Sequence, residues 1–183
     1  MVYNFSKFND EAKRIQDWLQ KEFSGIRTSR ATPAILDGIS VESYGTKMPI
    51  KQVANIISED AKTLRIAPWD ASMGKEIEKA IVASNLGLSV ASDDKGVRVS
   101  FPELTADRRT ALIKLAKEKT EEAKISIRKI RDVVMKDIQS KEKEAGMGED
   151  EVKRLKNEAQ KLVDTANKKL QEMEERKNKE IQS

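Results

Sequence analysis

From about Asn4 to Thr28, and again from about Thr105 onward, apolar residues recur at every third or fourth position among dense charge. That spacing lines up one face of a helix. In the first segment Phe8, Ala12, Ile15, Leu19, Phe23 and Ile26 form the stripe, with Trp18 at its border. Pro33 disfavours the α conformation at Thr32, so this helix is expected to end at or before Ala31. A second helix is predicted to start at Thr105, whose hydroxyl can cap the free amides of the next turn. Its stripe is Leu112, Ala116, Ala123, Ile127, Ile130, Val134 and Ile138, with Lys119 filling one gap. It is expected to close near Gly146-Met147-Gly148, where glycine can turn left-handed. At 1.5 Å per residue it would be roughly 60 Å long. The third stripe is Val152, Leu155, Ala159, Leu162, Ala166, Leu170 and Met173, fading toward Ile181.

The structural rival to a bundle is a parallel coiled-coil dimer. The Gly-Met-Gly break favours folding back within one chain, because it lets the second and third helices pack antiparallel. A monomer is expected.

Between the helical segments the pattern changes. Ile39 and Val41 alternate with Ser40 and Glu42, and Gly45-Thr46 offers a turn. Val53 to Ile57 and Leu64 to Ala67 read as strands, the second closed by Pro68. Ser72 to Ser84 reads as a short helix with Ile77, Ala80 and Ile81 on one face and Gly87 just beyond. Asp93-Asp94-Lys95-Gly96 is a turn before Val97 to Phe101. The expected fold class is α+β with two domains. Residues 1–30 and 105–183 make a discontinuous antiparallel three-helix bundle, and residues 31–104 an inserted small β/α/β sandwich domain. Two crossings join them, one through Arg30, Ala31, Thr32 and Pro33. The other runs from Phe101 through Pro102, Glu103, Leu104 and Thr105. Two neighbouring covalent links are expected to act as a hinge.

Composition narrows the function. The chain has no cysteine and no histidine, which excludes disulfides, thiolate nucleophiles, Cys/His zinc sites and histidine general bases. No Gly-rich phosphate loop is present, and the carboxylates sit on charged helix faces beside lysines, so no enzyme is expected. Nor is there an apolar run of the ~20 residues that cross a bilayer. With no signal peptide or basic presequence read at the start, a bacterial cytoplasmic location is expected. Charged residues make up 36% of the chain and aromatics 4%, which suits helices with narrow apolar stripes. The net charge of +4 only permits an anionic partner, so the placement of charge must decide.

It is concentrated on the second helix. Lys124, Arg128 and Arg131 step by four and three along one face. From Lys124 to Lys136 there are five basic residues against one acid, Asp132. Arginine's planar fork suits phosphate oxygens, and a helix holds successive forks at set spacing. Arg27 and Arg30 extend the positive character toward the hinge, as do Arg108 and Arg109. The same pattern is also that of a solvated helix face. With few aromatics to stack on bases, the nucleic-acid reading is one of shape and phosphate contact.

Ordered motifs across the whole chain resemble the ribosome recycling factor family. They are Arg27-Thr28-Ser29-Arg30-Ala31-Thr32-Pro33, Leu36-Asp37-Gly38-Ile39 and Val41-Glu42-Ser43-Tyr44-Gly45-Thr46. Ala67-Pro68-Trp69-Asp70, Glu78-Lys79-Ala80-Ile81 and Ser84-Asn85-Leu86-Gly87-Leu88 follow. Leu104-Thr105 with Arg108-Arg109, and Arg128-Lys129-Ile130-Arg131, complete the set. Departures are Ser29 where the family usually has glycine, Asp132 where a second arginine is common, and Lys47-Met48-Pro49 for a Pro-x-Pro turn. The resemblance implies an L of two arms. It also implies binding to large-subunit RNA at the A and P sites of the post-termination ribosome. Elongation factor G, hydrolysing GTP, would then swing the smaller domain about the hinge and separate the subunits. This chain would need no cofactor or nucleotide of its own. The site residues expected to contact RNA are Arg131, Arg128, Arg109 and Lys124, with Arg27 and Arg30 assisting or bracing the hinge. The alternative is a non-enzymatic coiled-coil adaptor or chaperone that grips protein partners through apolar side chains at the bundle tip.

Overall fold

The computed structural model describes residues 3–183, apart from the side chains at 144 and 145. In chain order the elements are α1 (Ser6–Ser24), β1 (Ser40–Ser43), β2 (Thr46–Pro49), α2 (Ile50–Val53), β3 (Ala54–Asp60) and β4 (Thr63–Pro68). They continue with α3 (Gly74–Ala83), β5 (Ser89–Asp93), β6 (Gly96–Ser100), α4 (Ala106–Ala145) and α5 (Glu149–Gln182). The chain divides into two compact units. One comprises Met1–Phe23 with Lys114–Asn178, the other Ser24–Ile113 with Lys179–Ser183. The segments expected to cross between domains, 30–33 and 101–105, lie within the second unit.

The first unit is helical. Asn4 Oδ1 accepts the amide of Ser6 at 2.8 Å and opens α1. The helix stops at Ser24, several residues before the limit set by Pro33, because Gly25 follows and glycine is a poor helix former. Phe8, Ala12, Leu19 and Phe23 are buried along it, as the stripe predicts. On α4 the buried positions of this unit are Ala116, Thr120, Ala123, Ile127, Val134 and Ile138. The gap assigned to Lys119 is thus filled by Thr120. Its hydroxyl donates to the carbonyl of Ala116 at 3.0 Å, so no polar group is stranded. On α5 it is Val163, not Leu162, that is fully buried beside Ala159 and Ala166.

Contacts at its two ends give α1 its direction. The Tyr3 hydroxyl donates to Asp137 Oδ2 at 2.6 Å, while Lys119 Nζ lies 3.1 Å from Glu22 Oε2. The chain advances along α1 as it retreats along α4, so the two are antiparallel. Gly146, at φ +61°, closes α4, and α5 returns three residues later. Two long helices therefore pair within one chain, and α1 completes a three-helix bundle.

The second unit holds a separate core of Ile35, Leu36, Ile50, Leu64, Ile66, Ile77, Ile81, Val97, Val99 and Phe101 among others. Strands β1 and β2 form an antiparallel hairpin, and a four-stranded antiparallel sheet has the order β3-β4-β6-β5. Leu64, Ile66, Val97 and Val99 alternate onto the buried face. On the other face Arg65 is registered against Arg98, and both bind Glu59. Arg65 also lies 2.8 Å from Asp93, tying β4 to β5. The hairpin turn falls on Tyr44 and Gly45, both at positive φ, one residue earlier than expected.

Candidate nucleic-acid interface

Charge is distributed unevenly along the chain. Residues 31–104 carry eight lysines and arginines against ten acids, and the remaining residues carry twenty-seven against twenty-one. The positive excess thus belongs to the helical segments.

Within the first unit, α4 presents Lys124, Arg128 and Arg131 on one face, next to the buried Ile127 row. They differ in how they are held. Lys124 Nζ donates to Glu121 Oε1 at 2.8 Å, one turn back. Arg131 donates from Nε at 3.2 Å and from Nη2 at 3.0 Å to the same oxygen, Asp132 Oδ1. Arg128 is exposed and makes no ion pair or hydrogen bond with the described residues. Lys129 and Lys136 are likewise exposed. The Glu121 carboxyl is held below the usual carboxylate range, chiefly by its hydrogen bond from Lys124, with Arg128 adding to the field.

The other expected contacts, Arg27, Arg30 and Arg109, belong to the second unit. Arg109 is half-buried. It donates from Nε to Leu104 O at 3.3 Å and from Nη1 to Gln182 O. Beside it, Arg108 Nη2 reaches Asn85 O at 2.9 Å, while its amide is capped by Thr105 Oγ1 at 3.3 Å. Arg30 is exposed and lines a surface hollow of about 630 Å³ with Ser29, Thr32 and Lys62.

Arg27 is 5% exposed. Its Nη1 donates to Gly87 O at 2.7 Å and Leu86 O at 3.1 Å, and its Nη2 to Pro102 O. The guanidinium carbon lies 5.9 Å from the centre of the Phe101 ring. Burial, and then the neighbouring Arg108, lower its pKa. Of the two roles expected for Arg27, RNA contact or bracing the hinge, this burial and these carbonyl partners suit the second, because little of the guanidinium is presented to an external phosphate. Its place is that of a brace between the 85–87 loop and the 101–105 segment. The sequence offered bracing as one of two roles for Arg27, but not the carbonyls it holds, nor the parallel clamp from Arg108. The only local signal was the Asn85-Leu86-Gly87 turn, whose exposed carbonyls need donors.

Among the described residues no group of three or more Asp or Glu could hold a metal ion, and no helix is long and apolar enough to cross a membrane.

A family model described as "Ribosome recycling factor" matches residues 19–181. The chain belongs to the ribosome recycling factor family. It is 44% identical over 181 residues to the ribosome-recycling factor of Agathobacter rectalis, covering 99% of this chain and 98% of that one. Against the factor of Desulforamulus reducens the identity is 43%, covering 96% and 95%. A solution structure of the ribosome recycling factor superposes with a TM-score of 0.70 at 35% identity, covering 100% and 99%. A second solved relative is similar at a TM-score of 0.65 and 33% identity, covering 97% and 96%. It is the Thermus thermophilus ribosome recycling factor, which with Escherichia coli elongation factor G is bound to the Escherichia coli post-termination complex. In this chain Asp132 occupies one edge of the Arg131 guanidinium.

Proposed function

We propose that this chain recycles ribosomes: it binds the post-termination ribosome at the A and P region of the large subunit. With elongation factor G and GTP, it promotes separation into subunits and release of mRNA and tRNA. The reading is carried by the run Lys124, Arg128 and Arg131 on one face of a 40-residue helix, in a chain of this family. A helix about 60 Å long keeps its cations at fixed spacing, so the forks meet folded RNA already aligned and little entropy is lost on binding. Arg128 and Arg131 contact phosphate directly, and Lys124 adds a point charge. Arg109 contributes through the half of its fork left free by its two carbonyl partners. The chain itself makes and breaks no covalent bond, and GTP is spent by the partner factor. The second role is mechanical. Residues 30–33 and 101–105 form the pivot about which the β/α/β domain turns, and the cytoplasm, where ribosomes work, is its place of action.

The test adds purified chain and elongation factor G with GTP to stalled ribosomes and follows subunit separation by light scattering. Arg131→Ala is expected to weaken large-subunit binding and to reduce the salt slope by about 0.7–0.9, the loss of one phosphate contact. Unchanged binding and slope would remove Arg131 from the interface. Binding that ignores salt and needs apolar side chains at the bundle tip would indicate a protein adaptor instead. Spin labels at Lys13 and Lys95 that report one narrow distance, free and ribosome-bound alike, would rule out the pivot.

A further inference from the structure

We propose that Asp132 is an internal competitor for the phosphate-gripping edge of Arg131, and that it sets how tightly the chain holds RNA. The inference rests on the ribosome-binding reading above and concerns the regulation of that same surface.

A guanidinium offers two edges able to grip phosphate with paired donors, one made by Nε and Nη2, the other by Nη1 and Nη2. In this structure both donors of the first edge converge on Asp132 Oδ1, at 3.2 and 3.0 Å. A phosphate approaching Arg131 therefore meets a carboxylate already seated on one edge and carrying the same charge sign as itself. It must either displace Asp132 or settle for the remaining edge at close range to that negative charge.

The pair is poised for exchange. Both side chains are substantially exposed, 39% and 59%, and an exposed ion pair in water is weak enough to be exchanged. Asp132 therefore does not lock Arg131 away from RNA but weakens what RNA gains. It is also the only acid between Lys124 and Lys136, so nothing else in that run offsets the cationic field at such short range. Arg128, one turn back, makes no ion pair or hydrogen bond with the described residues and is the contrast on the same face. One fork is open and the next is shared. A factor that must leave the ribosome after each round benefits from such a shared fork, because a moderated grip shortens its residence.

The experiment measures binding to purified large subunits across a salt series for the wild-type chain, Asp132→Asn, Arg131→Ala and the double variant. Asparagine keeps the shape of the side chain and removes its charge. Asp132→Asn is expected to bind about three- to tenfold more tightly at low salt, the gain shrinking as salt screens the site. In the Arg131→Ala background the same substitution is expected to change little, since the competitor has lost its target. Equal or weaker binding by Asp132→Asn overturns the inference. So does an equal gain in the Arg131→Ala background, which would mean that Asp132 acts only as diffuse charge. If the wild-type chain shows no salt-dependent binding to large subunits, the ribosome reading falls and this inference falls with it.

Discussion

Arg27 carries a charge into the interior of its unit, where it survives because three carbonyls accept its N–H groups and an aromatic ring lies nearby. The geometry is specific to a fork: one nitrogen serves adjacent carbonyls of Leu86 and Gly87, and another serves Pro102, across two separate stretches of chain. Lysine, a single point of charge, cannot span both. Arg27→Ala is expected to lower the stability of the chain by about 3 kcal/mol, since truncation strands the carbonyls it serves. Arg27→Lys should recover only part of the loss. Urea unfolding measures both, and a cost below about 1 kcal/mol for alanine would mean that water replaces the guanidinium. Nothing in the local sequence distinguishes this arginine from the exposed Arg30 three positions on. The difference arises from partners 59 to 75 residues away.

At the scale of elements, the helices were legible because their apolar positions repeat at the helical period and their ends carry cap residues. Thr105 caps α4 as its hydroxyl suggests, and glycine closes the helix where expected. The polar strands were not legible. Strand β5 (Ser89–Asp93) exposes most of its residues and so shows no apolar alternation, and β2 exposes three of its four. Each exists because a neighbour supplies a register, β5 on β6 and β2 on β1. The turn joining β5 to β6 has a stricter requirement. Gly96 sits at φ +126°, and a Cβ there would press into the carbonyl oxygen of Ile66 while lying 3.1 Å from Pro68. Backbone conformation and crowding act in the same direction, so Gly96→Ala is expected to cost at least about 2 kcal/mol. Thermal unfolding checks it, and a wild-type midpoint would show that the turn can rearrange.

For the molecule as a whole, the absence of histidine and cysteine leaves no side chain with an ordinary pKa between about 5 and 8. The carboxyls of Glu59, Asp93 and Asp137 are held below their usual values, first by hydrogen bonds from Arg65, Arg65 and Tyr3 respectively. A depressed folded pKa gives stability that is full above the unfolded value, about 4, and is lost as pH falls through the folded one. Tyr3 is pushed the other way, by burial and then by Asp137, so its contribution fades only as pH rises past about 10. The chemical-unfolding midpoint should therefore be flat from about pH 5.5 to 9 and fall below about pH 4. A decline that begins above pH 6 would contradict this assignment of the titrating groups.

By itself the sequence determined the class of the molecule: helical stripes flanking a strand-forming insert, cations on one face of a long helix, and neither histidine nor cysteine. These are properties of periodicity and composition, which neighbours along the chain express locally. Only the tertiary structure decided which arginines remain free. Whether a guanidinium is buried on distant carbonyls, as at Arg27, shared with an adjacent acid, as at Arg131, or open, as at Arg128, depends on which groups the fold and the side-chain rotamers bring within hydrogen-bond reach. Charge is written in the sequence, but its availability is set by what surrounds it.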